Sequence, residues 1–333
     1  MMKVCVFGAG AIGGYLAARL IHAGGEHQVS VVARGAQLRG IVDGGLRLLA
    51  QDEDFIVRPH AVTDSPCQLA PQDLVFVALK SHAQPAAARD IAALLGPDGA
   101  AVFVNNGIPW WWTYHGEAAP DARPLPLLDP QAALWNSVGP ARAMGCVVYS
   151  ANEIVQPGVV RHVANNQWLL GEPDRTRSPR LLAAVELMRH AGLQATAAAD
   201  IRHCVWVKLL RNAPLNTICA LTRLPADGLC GTPGLVDLCA AVIDEVVAIA
   251  AADGSDVSGQ AENAKAALGL GAAVDGSRAT IRPSMLQDVL QNRRMEVDAI
   301  LGQVQAFARA SATPCPTIDT LLPLLRGLGQ GIA

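Results

Sequence analysis

Lys3-Val-Cys-Val-Phe7 runs directly into Gly8-Ala9-Gly10-Ala11-Ile12-Gly13-Gly14, and the chain stays largely apolar to Leu20. The first five residues read as a short buried strand. The glycines that follow have the spacing Gly-x-Gly-x-x-Gly and stand between that strand and a helix expected from about Ala11 to Ala23. In such a turn each glycine has its own task. Gly8 permits the tight turn, Gly10 lets the backbone approach a pyrophosphate, and Gly13 lets helix and strand pack closely. Gly8, Ala9, Gly10, Ala11, Ile12 and Gly13 are therefore the candidate phosphate cradle, with the free N–H groups and positive dipole of the helix facing the anion. The same glycines displace a signal-peptide reading of Lys3 and the apolar run behind it.

Outward from this turn, strands and helices alternate. Val29–Ala33 reads as a second strand, and another is expected between Val57 and Val62. Asp73-Leu-Val-Phe-Val-Ala-Leu79 is a strong apolar run bounded by Pro71 and Lys80. A helical stretch is expected over Ala83–Leu95, then a turn at Gly96–Gly99 and a strand over Ala100–Val104. Alternation of this kind argues for a parallel sheet covered on both faces, in the order of a doubly wound nucleotide-binding domain. Cys146–Tyr149, Gly158–Arg161 and Gln167–Leu170 read as short strands at the far edge of the same sheet, and residues 179–191 as a helix. From Asp200 the period is almost wholly helical. The fold class is thus α/β: an N-terminal Rossmann-type doubly wound sheet over residues 1–198, followed by an all-helical C-terminal domain over residues 199–333. Glu117–Pro130, rich in proline and acid, reads as a surface insertion.

Composition narrows the class. The 333 residues are 51% hydrophobic and 17% charged, which suits two compact cores and leaves no room for long disorder. A net charge of −3 argues against a nucleic-acid partner. The mean hydropathy of +0.27 raises the question of membrane spans. The best candidate, Leu235–Ala252, is interrupted by Asp237, Asp244 and Glu245 and reads as a buried helix, so no membrane partner is expected. The eight cysteines show no Cys-x-x-Cys pairing, which points to reduced thiols in a cytoplasmic protein. No metal-ligand spacing is present.

Arg34 follows the second strand, where a site for an unphosphorylated dinucleotide usually places an acid. A cation there favours the 2′-phosphate of NADP, although a solvated surface arginine is the plain alternative. Lys80 and Asn106 stand at other strand ends, outside which ligands of open α/β sheets bind. Farther on, Lys208, Asn212 and Asn216 recur every four residues in a strongly apolar stretch and fall along one helical face. Polar groups set there are costly unless they meet partners or a ligand; a snorkelling lysine and two satisfied amides would also serve. Pro214 lies among them and should kink the helix. Ser284-Met-Leu-Gln287 has the form of a capping box, opening a long helix to about Ala308. On that helix Glu296 would align with Met285, Val289, Ile300 and Phe307, either for function or in a salt bridge with Arg293.

Together, the Gly8–Gly13 turn, Arg34, Lys80, Asn106, the Lys208/Asn212/Asn216 helix, Ser284 and Glu296 resemble the pattern of the ketopantoate reductases over nearly the whole chain. The resemblance implies NADPH as cofactor, a small 2-oxo acid as substrate, and reduction of 2-dehydropantoate to pantoate in pantothenate biosynthesis. It implies Lys208 as general acid and Asn106 between nicotinamide and substrate. Asn212 and Asn216 would hydrogen-bond the substrate, Ser284 hold its carboxylate end and Glu296 its hydroxyl end. Arg34 and Lys80 would serve the adenosine phosphate side of the cofactor. A homodimer is left open as the assembly. Trp110-Trp111-Trp112 departs from the pattern, as padding or as a border of the substrate cleft, and leaves a related reductase of another 2-oxo acid or bulkier ketone as the alternative.

Overall fold

A computed structural model of the chain describes residues 1–116, 122–269 and 282–332. It divides into two compact units. One is built from Met1–Asn105, Pro109–Gly116 and the described part of Asp121–Ile201, the other from Asn106–Ile108 and the described part of Arg202–Ala333.

The first unit carries ten strands: β1 (Lys3–Phe7), β2 (Gln28–Val32), β3 (Leu46–Leu49), β4 (Asp54–Val57), β5 (Ala61–Thr63), β6 (Gln72–Val77), β7 (Leu95–Val104), β8 (Ala143–Gln156), β9 (Val159–Gly171) and β10 (Gln194–Ala197). They form one sheet in the order β4-β3-β9-β8-β7-β6-β1-β2-β5, with β10 also paired to β9. The stretch from β8 through β7, β6, β1 and β2 to β5 is parallel throughout. Val4, Val6, Val31, Phe76 and Val102 fill its buried core, which Tyr15, Leu16 and Trp168 extend. Helices α1 (Ala11–His22), α2 (Gly35–Gly44), α3 (Ala88–Leu94), α4 (Ala133–Ser137) and α5 (Pro179–His190) accompany the sheet. Small residues let α1 lie close: a Cβ on Gly14 would come within 2.7 Å of Val160 Cγ2.

The second unit is helical: α6 (Ile201–Thr222, of which Arg202 onward belongs here), α7 (Ala226–Cys230), α8 (Leu235–Ala252), α9 (Ser258–Gly269), α10 (Ser284–Leu290), α11 (Gln303–Ala310) and α12 (Pro316–Gln330), with a π-helical turn at Asp298–Gly302 before α11. No helix among the described residues is long and apolar enough to cross a membrane. Cys5, Cys146, Cys219, Cys239 and Cys315 are buried thiols, while Cys67 is exposed. Burial pushes the Cys5 thiol up to about 12.

The elements differ from the sequence expectation where proline or polarity intervenes. The single strand expected over Val57–Val62 is two strands, β4 and β5, which end up on opposite edges of the sheet. Pro59 lies between them and has no N–H to give a ladder. Pro85 likewise divides the helix expected over Ala83–Leu95 into two 3₁₀ turns, Ser81–Ala83 and Pro85–Ala87, before α3. The three short strands expected after Arg142 are one long hairpin, β8 and β9, turning at Pro157-Gly158. Its outer half is mostly exposed and mixes polar residues with Ile154, Val155 and Val163, which hid the continuity. This hairpin is also not the sheet edge, because β3 pairs beyond β9 through Arg47 and Val159. The long helix expected from Ser284 to Ala308 breaks after Leu290, with Asn292 at φ 49°. Pro214 stays inside the assigned range of α6.

Candidate active site

Within the first unit the glycine turn has the geometry that its spacing predicts. Gly8 adopts φ +106°, and a Cβ on Gly13 would lie 1.9 Å from Gly8 O, so only glycine fits there. A Cβ on Gly10 would meet no protein atom within 4 Å, so the space beside it is open to a ligand. Gly10 is also the N-cap of α1 and gives no side-chain cap, and no acid occupies the first turn. The first N–H groups of α1 are therefore left for an anion. Next to the turn, Phe7, Gly8, Val32, Arg34, Leu79, Ala83, Ala86 and Ala87 line a small, mostly apolar pocket at the carboxyl ends of β1, β2 and β6.

Arg34 stands at the rim of this pocket as the N-cap residue of α2, in extended conformation. Its Nη2 lies 3.6 Å from Asp90 Oδ2, both side chains being largely solvent-accessible. Lys80, partly buried, begins the Ser81–Ala83 turn. Asp90 was not legible in the sequence, because it comes from α3 and not from the β2 end that the motif singles out.

Within the second unit, α6 brings Lys208 to Asn106. Lys208 is 9% exposed, and its Nζ donates to Asn106 Oδ1 at 2.7 Å. The strap Asn106–Ile108 is held by Ile108 N–H, which donates to Ala299 O at 2.8 Å. Gly107, at φ +77°, makes this approach possible, since a Cβ there would lie 2.2 Å from Ala299 O. Two turns along α6, Asn216 is 3% exposed and its Oδ1 accepts from Ser284 Oγ at 3.1 Å and from Met285 N–H at 3.0 Å. Asn212 is partly buried on the same face of α6.

Two local expectations are corrected here. The capping box does not form: Pro283 is the N-cap of α10, Ser284 turns to Asn216, and Gln287 Nε2 donates to Arg282 O. Glu296 is buried, at 7% exposure, but it does not share a continuous helix with Met285 and Val289. Arg293 pairs with the buried carboxylate of Asp288 at 3.1 Å. The tryptophans, which belong to the first unit, are buried: Trp110, Trp111 and Trp112 are each at most 2% exposed. Trp110 packs edge-on against Phe103 and Trp135. The Trp111 ring fills the space that a Cβ on Gly145 would need. Among the described residues no group of three or more His, Cys, Asp or Glu could hold a metal ion.

A glycine-turned doubly wound sheet joined to a helical unit that carries its own buried lysine and amides defines the class of two-unit Rossmann-type proteins. The ketopantoate reductase PanE/ApbA family model matches residues 4–175, and the model of its C-terminal part matches residues 200–329. The chain belongs to the ketopantoate reductase family. It is 39% identical over 330 residues to a 2-dehydropantoate 2-reductase of Mesorhizobium japonicum, with 98% of each chain covered. A 2-dehydropantoate 2-reductase of Halobacterium salinarum is 29% identical over 328 residues. The solved structure of a candidate ketopantoate reductase from Ralstonia solanacearum MolK2 matches with a TM-score of 0.90 at 33% identity, covering 99% of this chain and 98% of that one. A D-mandelate dehydrogenase solved with NADH and anilino(oxo)acetate shares the fold, with a TM-score of 0.82 at 18% identity.

Proposed function

We propose that this protein reduces 2-dehydropantoate to pantoate with NADPH, in the cytoplasm and as a step toward pantothenate, with Lys208 as the general acid. The observation that carries the reading is the buried Lys208–Asn106 hydrogen bond, on a chain 39% identical to a 2-dehydropantoate 2-reductase along nearly its full length. On this reading residues 1–198 bind the cofactor and residues 199–333, with Asn106, provide the substrate and proton-transfer groups.

The residues present fit a dinucleotide. The open space at Gly10, the uncapped start of α1 and the apolar pocket beside Gly8 suit a pyrophosphate and an adenosine. Arg34 and Lys80 supply the positive charge that a 2′-phosphate needs. When bound, the nicotinamide supplies a hydride to the carbon of the 2-oxo group. Lys208 delivers the balancing proton to the carbonyl oxygen, and its ammonium stabilises the negative charge that develops there. Asn106 holds the ammonium in place through its Oδ1. Asn212 and, through its Nδ2, Asn216 hydrogen-bond the substrate, Glu296 takes the hydroxyl end, and Ser284 takes the carboxylate end by turning its hydroxyl proton from Asn216 Oδ1 to the carboxylate. The alternative, a bulkier ketone or another 2-oxo acid, draws on Trp110–Trp112, whose side chains are at most 2% exposed and offer little surface to a ligand.

The test is steady-state NADPH oxidation with 2-dehydropantoate beside a panel of other 2-oxo acids. Preferential turnover of 2-dehydropantoate is expected, with a kcat/KM of about 10⁴ M⁻¹s⁻¹ or better. Lys208→Ala should lower kcat by roughly 10²- to 10⁴-fold while NADP⁺ binding is retained. Faster turnover of a different 2-oxo acid transfers the assignment to that substrate. Absence of NADPH-dependent turnover across the panel overturns the reading.

A further inference from the structure

We infer that Asp90 restrains this chain's preference for a 2′-phosphorylated cofactor, because it holds Arg34 in an ion pair that the phosphate has to share. The inference rests on the cofactor reading above and adds a specificity residue to it. Arg34 lines the pocket from the β2 side, and Ala83, Ala86 and Ala87 line it from the segment that leads into α3. Asp90 is in the first turn of α3, and its Oδ2 lies 3.6 Å from Arg34 Nη2. With side-chain exposures of 69% and 44%, the pair contributes little to folding, so stability does not account for it.

Its position gives it a consequence for binding instead. A phosphate within hydrogen-bond reach of the Arg34 guanidinium stands about one side-chain length from the Asp90 carboxylate. Like charges at that separation repel even through water-like screening, which lowers affinity several-fold. A ribose 2′-hydroxyl carries no charge and escapes that repulsion. Arg34 therefore confers the preference for the phosphate, and Asp90 limits its size.

The experiment is a calorimetric titration of the whole protein with adenosine 2′,5′-bisphosphate and with 5′-AMP, comparing wild type, Asp90→Asn and Arg34→Ala. Asp90→Asn should bind the bisphosphate about three- to tenfold more tightly and 5′-AMP within about twofold of wild type, with the difference shrinking at high salt. Arg34→Ala should weaken the bisphosphate alone. If Asp90→Asn leaves bisphosphate binding unchanged or weaker while Arg34→Ala still weakens it, the inference is overturned and the cofactor reading stands. If Arg34→Ala has no effect on the bisphosphate, the two fall together.

Discussion

The Met285 backbone N–H can only donate, and it donates to the same Asn216 atom that Ser284 Oγ approaches. That atom is therefore the amide oxygen, and the Ser284 hydroxyl is a donor toward it. One nearly buried side chain on α6 thus serves two donors at the start of α10. Asn216→Ala leaves both without an acceptor and should cost about 1–3 kcal/mol, more than Ser284→Ala, which removes a single bond. Thermal melts compare the two. Under the proposed function, in which Asn216 and Ser284 hydrogen-bond the substrate, the KM for the 2-oxo acid should rise more than kcat falls. Equal melting of the two variants and wild type would discard this account. Lys208 and Asn216 were legible in the sequence because a lysine and an amide in an apolar helix demand partners. The partner of Ser284 was not, because the capping-box pattern pointed to its own helix while Pro283 took the N-cap position.

At the scale of elements, Arg19 on α1 grips Glu53 in the turn between β3 and β4 with two hydrogen bonds, one of them 2.9 Å. The Arg19 guanidinium also lies over the rings of Tyr15 and Phe55, at 5.6 and 5.9 Å from their centroids. The hydrogen bond from Arg19 is the main cause that holds the Glu53 carboxyl below its ordinary 4.5. A lowered carboxylate value means that the stabilisation is complete above the unfolded-state value and is lost as pH falls through the folded one. Glu53→Gln should therefore be less stable than wild type near neutrality, and the gap should close as pH drops below about 4. Urea midpoints across pH 3.5 to 7 measure it; a gap of constant size would refute the linkage. The parallel strands β1, β2, β6 and β7 were legible because apolar runs buried on both faces leave an unbroken signal. The β3–β4 hairpin was not: β3 is four residues long, and β4 is mostly exposed at the sheet edge. Pro59 and Pro85 were visible throughout, but which elements they separate depends on strand order, which no local pattern contains.

On the scale of the whole molecule, each unit has its own core, and the tryptophans are unevenly shared. Trp110, Trp111, Trp112, Trp135 and Trp168 lie in the first unit, while Trp206, bonded to Asp253 at 3.1 Å, belongs to the second. Tryptophan emission should follow unfolding of the sheet unit, whereas far-ultraviolet circular dichroism follows mainly the helical one. The two transitions in denaturant are expected to have different midpoints, as two-unit chains depart from two-state behaviour. Coincident midpoints would mean that the units unfold as one. Asn106 was legible as a strand-end residue, but that the small strap Asn106–Ile108 belongs to the helical unit although it follows β7 had no sequence signal. Cys67, exposed in the 3₁₀ turn ahead of β6, has a practical consequence. It sits at the opposite end of the parallel strands from the glycine turn, and burial makes thiols such as Cys5 slow to react. A maleimide-coated surface should therefore couple to Cys67 ahead of the buried thiols Cys5, Cys146, Cys219, Cys239 and Cys315, taking hold of the sheet at the end away from the glycine turn.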